Sequence, residues 1–387
     1  MKDEKKAPKL RFKGFTDDWE QRKLGDVAKI TAGGDINKGD LINKGKYPVI
    51  ANGLNNNGIV GYSNKYKIDA PAVTITGRGT LGVATARFIN FTPIVRLISI
   101  KSDLDPIYLE NVINNTHFVI ESTGVPQLTA PQVKRQTVIL SNCHIEQTKI
   151  GSLFLTLDNA ITLHEEKKRQ LERLKSALLQ KMFADKSGYP AVRFEGFGGK
   201  WDQCKLGNVG TFRGGFGFPE NEQGNIDGIA FYKVSDMNDS CNTLTMRKAS
   251  NYVTSSQISK NKWKPILNQN IIFAKVGAAV YLERKRKAMG PFLLDNNMMA
   301  FQPKDADIDY IYYVFQRLRI SKHAQVGTLP SLNASELRNI TIYIPSLNEQ
   351  KAVADLMVSL DHTIILYDFK LELLKKLKSS LLQHMFI

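Results

Sequence analysis

The chain says one long stretch twice, and that repeat constrains its fold more than any other feature. Residues Glu146 to Phe183, EQTKIGSLFLTLDNAITLHEEKKRQLERLKSALLQKMF, return 203 positions later as Glu349 to Phe386, EQKAVADLMVSLDHTIILYDFKLELLKKLKSSLLQHMF. Glu146/Glu349, Gln147/Gln350, Leu157/Leu360, Asp158/Asp361, Leu171/Leu374, Lys175/Lys378, Met182/Met385 and Phe183/Phe386 are identical in place. A fixed offset of this kind marks duplicated structural units.

Both copies are helical by pattern. In the first, Ile150, Leu153, Leu157, Leu171, Leu174 and Leu178 recur three and four apart, with a polar centre at His164 and Lys167. The second keeps the register with Val353, Leu356, Leu360, Leu374, Leu377 and Leu381 around Thr363, Tyr367 and Lys370. This is a heptad seam, and at 1.5 Å per residue each helix would span roughly 57 Å. A seam of that length needs a partner, and its own duplicate suits it. The two helices are expected to pair as an antiparallel coiled coil.

A second repeat opens each lobe. Arg11-Phe12-Lys13-Gly14-Phe15 with Trp19 and Lys23-Leu24-Gly25 returns as Arg193-Phe194-Glu195-Gly196-Phe197 with Trp201 and Lys205-Leu206-Gly207. Its offset is 182, so the second lobe holds about twenty more residues in its middle. The aromatics are expected under the first strand of each lobe. Between frame and helix the first lobe offers short strands, YPVIANG, GIVGYS, APAVTIT, GVATARFIN and FTPIVRLISI, then a helix from Tyr108 to Val119. The second offers GIAFYKVSD, QNIIFAKVG, AVYLER and MMAFQP, then a helix from Tyr310 to Ile320. Gly124, Pro126, Leu128 and Ala130 answer Gly327, Pro330, Leu332 and Ala334, and the strands TVIL and TIYI lead into the rods. The fold class is α+β: two globular lobes with twisted β-sheets, joined by two long helices in an internal pseudo-two-fold repeat. The segments are lobe 1 (1–145), helix 1 (146–188), lobe 2 (189–345) and helix 2 (346–387).

The net charge of +16 is distributed tellingly. Residues 1–145 carry 20 basic against 13 acidic side chains and residues 184–348 carry 21 against 14, while the helices are near neutral. Two equally basic lobes suggest two sites for a polyanion. Cys143, Cys204 and Cys241 stand far apart, without zinc or disulfide spacing, which suits a reducing cytoplasm. No signal-like or membrane-spanning apolar run is present, so a cytoplasmic protein is expected.

Catalytic motifs fail on inspection. Gly77-Arg78-Gly79-Thr80-Leu81-Gly82 matches GxGxxG, but the residues after it read as strand where a dinucleotide site needs a helix. Gly34 to Gly39 has P-loop spacing without the Lys-Ser/Thr that grips phosphate and magnesium. No HExxH, GxSxG, CxxC or Asn/Asp-Pro-Pro-Tyr tetrad occurs, so no catalytic and no metal-binding residues are expected. What remains is recognition. In lobe 1 the candidate DNA-binding residues are Asn52, Asn55, Asn56, Asn57, Lys65, Lys67, Arg78 and Arg87. In lobe 2 they are Tyr232, Lys233, Lys262, Lys275 and the run Arg284, Lys285, Arg286, Lys287, for which phosphate contact is expected and a solvated hairpin tip is the alternative. Arg can pair bidentately with guanine and Asn with adenine, whereas lysines seek phosphate.

With two frames, two differing middles and two rods, the chain resembles the specificity subunit of type I restriction-modification enzymes over nearly its whole length. The marks are the EQ…LD…LLQxMF rods and the RFxGF…W…KLG openings. The resemblance implies a non-catalytic subunit whose lobes are target-recognition domains, each reading one half of a bipartite double-stranded DNA site, with the helices setting the spacer. It also implies two adenine-methylation subunits and, for cleavage, two restriction subunits. S-adenosylmethionine, ATP and magnesium would belong to those partners. Rod surface residues Glu165, Lys168, Arg169, Glu172, Asp368, Leu371 and Lys375 are then candidates for partner contact. The alternative is an orphan DNA-binding scaffold of the same fold without enzyme partners.

Overall fold

The structure is a computed structural model that describes residues 7–118, 126–325, 327 and 329–386. Val119 and Gly124, which the sequence placed at a helix end and in the repeated passage, lie outside the described residues. The chain forms two compact units. Unit 1 holds residues 1–167 and 367–387, and unit 2 holds residues 168–366. Each long helix is therefore shared out, so that a unit comprises one lobe with half of each rod.

In unit 1, β1 (Glu20–Lys23) leads through the short helix α1 (Leu24–Val27) into β2 (Ala28–Ala32). Strands β3 (Tyr47–Ile50), β4 (Ile59–Ser63), β5 (Ala72–Ile75), β6 (Ala84–Arg87), β7 (Thr92–Pro93) and β8 (Ile98–Ser102) follow. Helices α2 (Pro106–Asn114) and α3 (Ala130–Arg135), strand β9 (Thr137–Leu140) and the long helix α4 (His144–Lys181) complete the first repeat. The main sheet has the order β2-β8-β5-β6 and a smaller one the order β4-β3-β7. Val73, Ile75, Ile98 and Ile100 bury their side chains beneath Tyr108, Leu109, Val112 and Ile113 of α2. That helix starts where it does because Asp105 caps it, its carboxylate accepting from Ile107 N at 3.0 Å and Tyr108 N at 2.9 Å, with Pro106 in the first turn.

Unit 2 repeats this plan. β10 (Asp202–Lys205), β11 (Gly210–Gly214), β12 (Ile229–Tyr232), β13 (Thr245–Met246) and β14 (Tyr252–Val253) precede α5 (Ser255–Asn261). Then come β15 (Asn270–Ala274), β16 (Lys285–Ala288), β17 (Phe292–Leu294), β18 (Met298–Pro303), α6 (Ile308–Arg317), β19 (Ala324–Gln325), β20 (Ser331–Leu332), α7 (Ala334–Arg338), β21 (Thr341–Ile344) and the long helix α8 (Leu347–Met385). The main sheet is β11-β18-β15-β16-β13 and the smaller one β14-β12-β17, so the order of unit 1 returns with one strand added. The extra residues build that strand and α5. Two local readings change. AVYLER is a 3-10 turn over Ala278–Leu282, and FTPIVRLISI is broken at Val95-Arg96 into β7 and β8.

The repeated openings and rods meet at one carboxylate in each unit. Glu146, fully buried in the first turn of α4, accepts from Arg11 Nε at 2.5 Å and Nη2 at 2.9 Å, from the Trp19 indole at 3.1 Å and from the Ser141 hydroxyl at 2.5 Å. In unit 2, Glu349 takes Arg193 at 2.7 and 2.8 Å and the Trp201 indole at 3.3 Å. The neighbouring amide is used alike: Gln147 accepts from Asp105 N and donates to Ser141 O, and Gln350 accepts from Asp307 N and donates to Pro345 O. Antiparallel pairs β1–β9 and β10–β21 tie each opening to the strand that enters its helix. In the KLG turns, Leu24 and Leu206 are buried, and a side chain at Gly25 or Gly207 would lie about 3.0 Å from α3 or α7.

The helices are antiparallel. In unit 1 Asp158 pairs with Lys378 at 2.5 Å and Glu165 with Lys375 at 2.6 Å, so positions rise on α4 as they fall on α8. In unit 2 Lys175 pairs with Asp361, whose other oxygen accepts from Tyr313 Oη at 2.7 Å. The buried stripe, however, differs from the expected one at every second position. It runs through Ile150, Phe154, Leu157, His164, Leu171, Lys175, Leu178 and Met182, and through Val353, Met357, Leu360, Tyr367, Leu371, Leu374, Lys378, Leu381 and Met385, a four-three spacing. Leu153 and Leu356 only flank it, and Leu174 and Leu377 are 46 and 48% exposed. Lysines took the seam positions because their ammonium groups meet Asp361 and Asp158, which apolar periodicity cannot register. Leu371 is 7% exposed and belongs to this seam, which removes it from the partner-contact candidates.

Phe154→Ala is expected to cost roughly 3–5 kcal/mol, as a buried aromatic truncation does, and Leu174→Ala under about 0.5 kcal/mol; urea unfolding of the two full-length variants checks the seam. Burial alone would push the Glu146 carboxyl up, but the Arg11, Ser141 and Trp19 donors outweigh it and hold it below the usual carboxylate range. A depressed folded value contributes stability that is present above the unfolded pKa and lost as pH falls through the folded one. Glu146→Gln should therefore destabilise by roughly 3 kcal/mol at pH 7, with the gap to the wild type closing below about pH 4 in thermal melts.

Candidate nucleic-acid interface

One edge of lobe 1 gathers three connections. They are the β3–β4 turn over 51–58, the β5–β6 loop over 76–83 and the β7–β8 turn at 95–96. Asn52 is their fastener: its carbonyl oxygen accepts from Gly77 N at 2.7 Å and its amide donates to Val95 O at 2.6 Å. Gly77 is glycine for space, since a Cβ there would sit 2.8 Å from Leu128 O and 3.1 Å from Arg96 O. Asn56 and Asn57 take left-handed backbone at φ 50° and 52°, and the Asn57 carbonyl accepts from Arg87 Nη1 at 2.9 Å. Arg87 Nε donates to Thr74 Oγ1 at 3.0 Å. Thus Asn52 and Arg87 hold the surface in shape, and Asn55, Asn56, Asn57 and Arg78 are exposed on it. Lys65 and Lys67 are exposed on the β4–β5 connection, beside Tyr66, whose ring meets Tyr47 at 4.7 Å.

Lobe 2 disposes of its basic run differently. Residues 284–287 are no hairpin tip: Lys285, Arg286 and Lys287 form β16, hydrogen-bonded between β15 and β13. Lys285 is 2% exposed, pairs with Glu283 and donates to Leu318 O at 2.9 Å. Arg286 Nε donates to Asn242 O at 2.6 Å, Lys287 pairs with Asp309, and Arg284 donates to the Asn238 side chain. Burial pushes the Lys285 ammonium down from its usual pKa, against the pull of Glu283. The sequence shows four adjacent charges; the alternation of the strand sends them to four separate acceptors. Tyr232 is also buried, its phenol pushed up to about 12 by burial. Lys233 reaches Gln223 at 3.0 Å and Lys275 is half-buried on the loop after β15. Lys262, in left-handed backbone at the end of α5, is exposed. These placements take Tyr232 and Lys285 out of any surface on this lobe.

Sequence reasoning passed over Arg96. It sits in an apolar run that reads as one strand, and only the chain reversal at Val95-Arg96 exposes it. Among the described residues, no group of three or more His, Cys, Asp or Glu side chains is arranged to hold a metal ion, and no helix is long and apolar enough to cross a membrane.

The type I restriction modification DNA specificity domain matches residues 16–173 and again residues 198–376. The chain belongs to that family. The two matches fall on the two copies of the repeat. A type I specificity subunit of Mycoplasma pneumoniae, S.MpnORF507P, is 29% identical over 137 residues, covering 34% of this chain and 38% of the relative. A second from that organism, S.MpnORF89P, is 27% identical over 131 residues, 32% of this chain and 39% of the relative. The chain thus matches less than two fifths of either relative. Among solved structures, the S subunit of a type I system from M. genitalium superposes with a TM-score of 0.68 over 98% of this chain and 99% of that one, at 15% identity. A type I complex structure gives 0.51 over 94 and 96%, at 16% identity. At such identities the likeness is one of fold.

Within this specificity chain, charge at the surface and charge in the core are separable by experiment. Lys285→Ala empties a site that is 2% exposed and leaves the half-buried Glu283 carboxylate with Ser321 N alone, and should cost roughly 2 kcal/mol, whereas Lys67→Ala should change stability by under about 0.5 kcal/mol. Duplex binding by the full chain at several salt concentrations is the complementary readout: Lys67→Ala lowers the salt slope by about one if Lys67 meets a phosphate.

Proposed function

We propose that this specificity chain reads a bipartite DNA target, one half-site per lobe, with the spacer set by the two long helices. The observation that carries the reading is the duplicated frame with unlike loops. Both units build their sheets in the same strand order and anchor their helix through the same Arg–Glu–Trp cluster, yet the connections at the sheet edge differ in length and side chains. Equal frames suit two related readings of one duplex, and unlike loops suit two unlike half-sites. The basic excess of each lobe supplies sequence-independent attraction to phosphate.

The chain would act by positioning two adenine-methylation subunits and, for cleavage, two restriction subunits. S-adenosylmethionine would then be bound by the methylation subunits, and ATP and magnesium by the restriction subunits. Glu165, Lys168, Arg169, Glu172, Asp368 and Lys375 on the rods remain the proposed partner-contact surface. Lys375 and Glu165 already pair with one another across the helices, so a partner would meet them as a pair.

The test is to co-express the full chain with its methylation subunit and to map N6-methyladenine in the host DNA. A single motif of two unlike half-sites around a fixed spacer is expected; a contiguous motif overturns the reading. The heptad spacing of the rods sharpens it. A matched seven-residue insertion in α4 and α8 keeps the seam in register and adds about 10.5 Å. It should lengthen the spacer by up to about three base pairs, at 3.4 Å per base pair, with both half-sites unchanged.

A further inference from the structure

We infer that Arg78 and Arg96 form a paired guanine-reading head on the first lobe, an inference that rests on the bipartite reading proposed above. Neither the spacing nor the composition of the sequence brings these two residues together. The fold does so at Gly77. The residue before Arg78 presses its Cα against the carbonyl of Arg96, so close that a Cβ would lie 3.1 Å from that oxygen. Asn52 then clamps both loops with one side-chain amide, through Gly77 N and Val95 O.

The backbone at the second arginine is held in a costly shape. Val95 and Arg96 have φ of 52° and 61°, and Leu97 N closes the reversal onto Ile94 O at 3.0 Å. A tight turn whose two central residues both have positive φ favours Asn and Gly there, and a β-branched residue is an outlier. The turn is nonetheless fixed, with Val95 N donating to Gly34 O and Arg96 N to Gly33 O. Strain of this kind persists where the surroundings over-determine it and is concentrated at functional positions. The matching turn of lobe 2, Asp295 to Asn297 between β17 and β18, has ordinary turn residues and no positive φ. Lobe 1 thus gives up the favourable turn residues and gains an exposed guanidinium.

Arg78 is presented in the same manner. It is exposed, followed by Gly79 in left-handed backbone with nothing within 4 Å of a built Cβ, which leaves open space for a close approach. Neither guanidinium has a hydrogen-bond partner among the described residues, in contrast to Arg87, Arg284 and Arg286, which are engaged in the fold. A planar fork held at the tip of a rigid turn fits the O6 and N7 acceptors of guanine in the major groove, which a lysine cannot match bidentately. The half-site read by the first lobe therefore contains guanine, and these two residues specify it.

The experiment maps N6-methyladenine for the wild-type chain and for Arg78→Lys, Arg96→Lys and Arg96→Gly, each full-length and co-expressed with the methylation subunit. The wild type fixes the reference: without a bipartite motif it is the proposed function that fails, before the variants are compared. Given that motif, each lysine variant should keep methylating while discrimination at one guanine of one half-site falls by roughly 10-fold to 100-fold. Arg96→Gly should relax the same position and raise the thermal midpoint of the chain, because glycine relieves the turn. If both lysine variants retain every guanine preference, the two residues contact phosphate only and the inference is wrong. It is equally overturned if the first half-site holds no guanine, or if Arg96→Gly lowers the midpoint and leaves the motif intact.

Discussion

Each half of this chain depends on a buried carboxylate. A desolvated glutamate is tolerated only when every lone pair is answered. Glu146 is answered by a bidentate arginine from the opening segment, an indole from the residue before β1, and a hydroxyl from the end of β9. Those groups come from two separate parts of the sequence, the opening segment and the end of β9, so satisfying one side chain brings together the start of the lobe, its last strand and the root of the rod. Glu349 repeats the arrangement with Arg193 and Trp201. The sheets can then vary, because the direction in which the helix leaves its own lobe is settled beneath them.

The rods add a second constraint. An apolar seam alone would pair in several registers, and polar residues at seam positions select one at some cost in stability. Asp158 with Lys378 and Lys175 with Asp361 are the same pair met twice, once in each unit. Tyr313 adds a hydroxyl to Asp361, so the second pair is also fastened to its lobe through α6. The rod ends close the cores. In unit 1 the Phe386 ring lies 5.8 Å from Tyr108, 6.2 Å from Trp19 and 5.7 Å from Phe154, and in unit 2 Phe183 lies 5.3 Å from Tyr310. The repeated Met-Phe at the end of each rod is thus core sequence for the lobe from which the other helix starts.

Much of this was legible because duplication exposes it. A residue identical at both offsets, such as Glu146/Glu349 or Trp19/Trp201, announces a structural part before its partner is known. Periodicity was weaker. Leu153, Leu174, Leu356 and Leu377 drew the seam one residue off at alternate positions: hydropathy cannot choose between Leu153 and Phe154 or between Leu356 and Met357, and it cannot see that Lys175 and Lys378 each face an aspartate. The site was least legible where charge stood in for exposure. Arg284 to Lys287 looked like a solvated cluster, but as an inner strand each side chain has an acceptor, and Lys285 is buried. Arg96, flanked by apolar residues, looked like strand interior and is exposed by a turn that local propensity argues against.

That reversal bears on how a basic protein of this family can discriminate between sequences. Net charge attracts a duplex without telling one base from another, and in lobe 2 much of the basic excess is spent inside the fold. Discrimination has to come from a few side chains whose position is fixed before the duplex arrives, since a mobile arginine would settle on phosphate. Rigidity at the sheet edge of lobe 1 is supplied by backbone: Gly33, Gly34 and Ile94 hold the Val95-Arg96 turn, and Asn52 joins it to the Gly77 loop. None of those groups belongs to the carboxylate anchor or to the seam. Under the bipartite reading proposed above, changing what a lobe recognises would ask only for new loops on an intact sheet, while the anchors that set the direction of the helix would be left untouched.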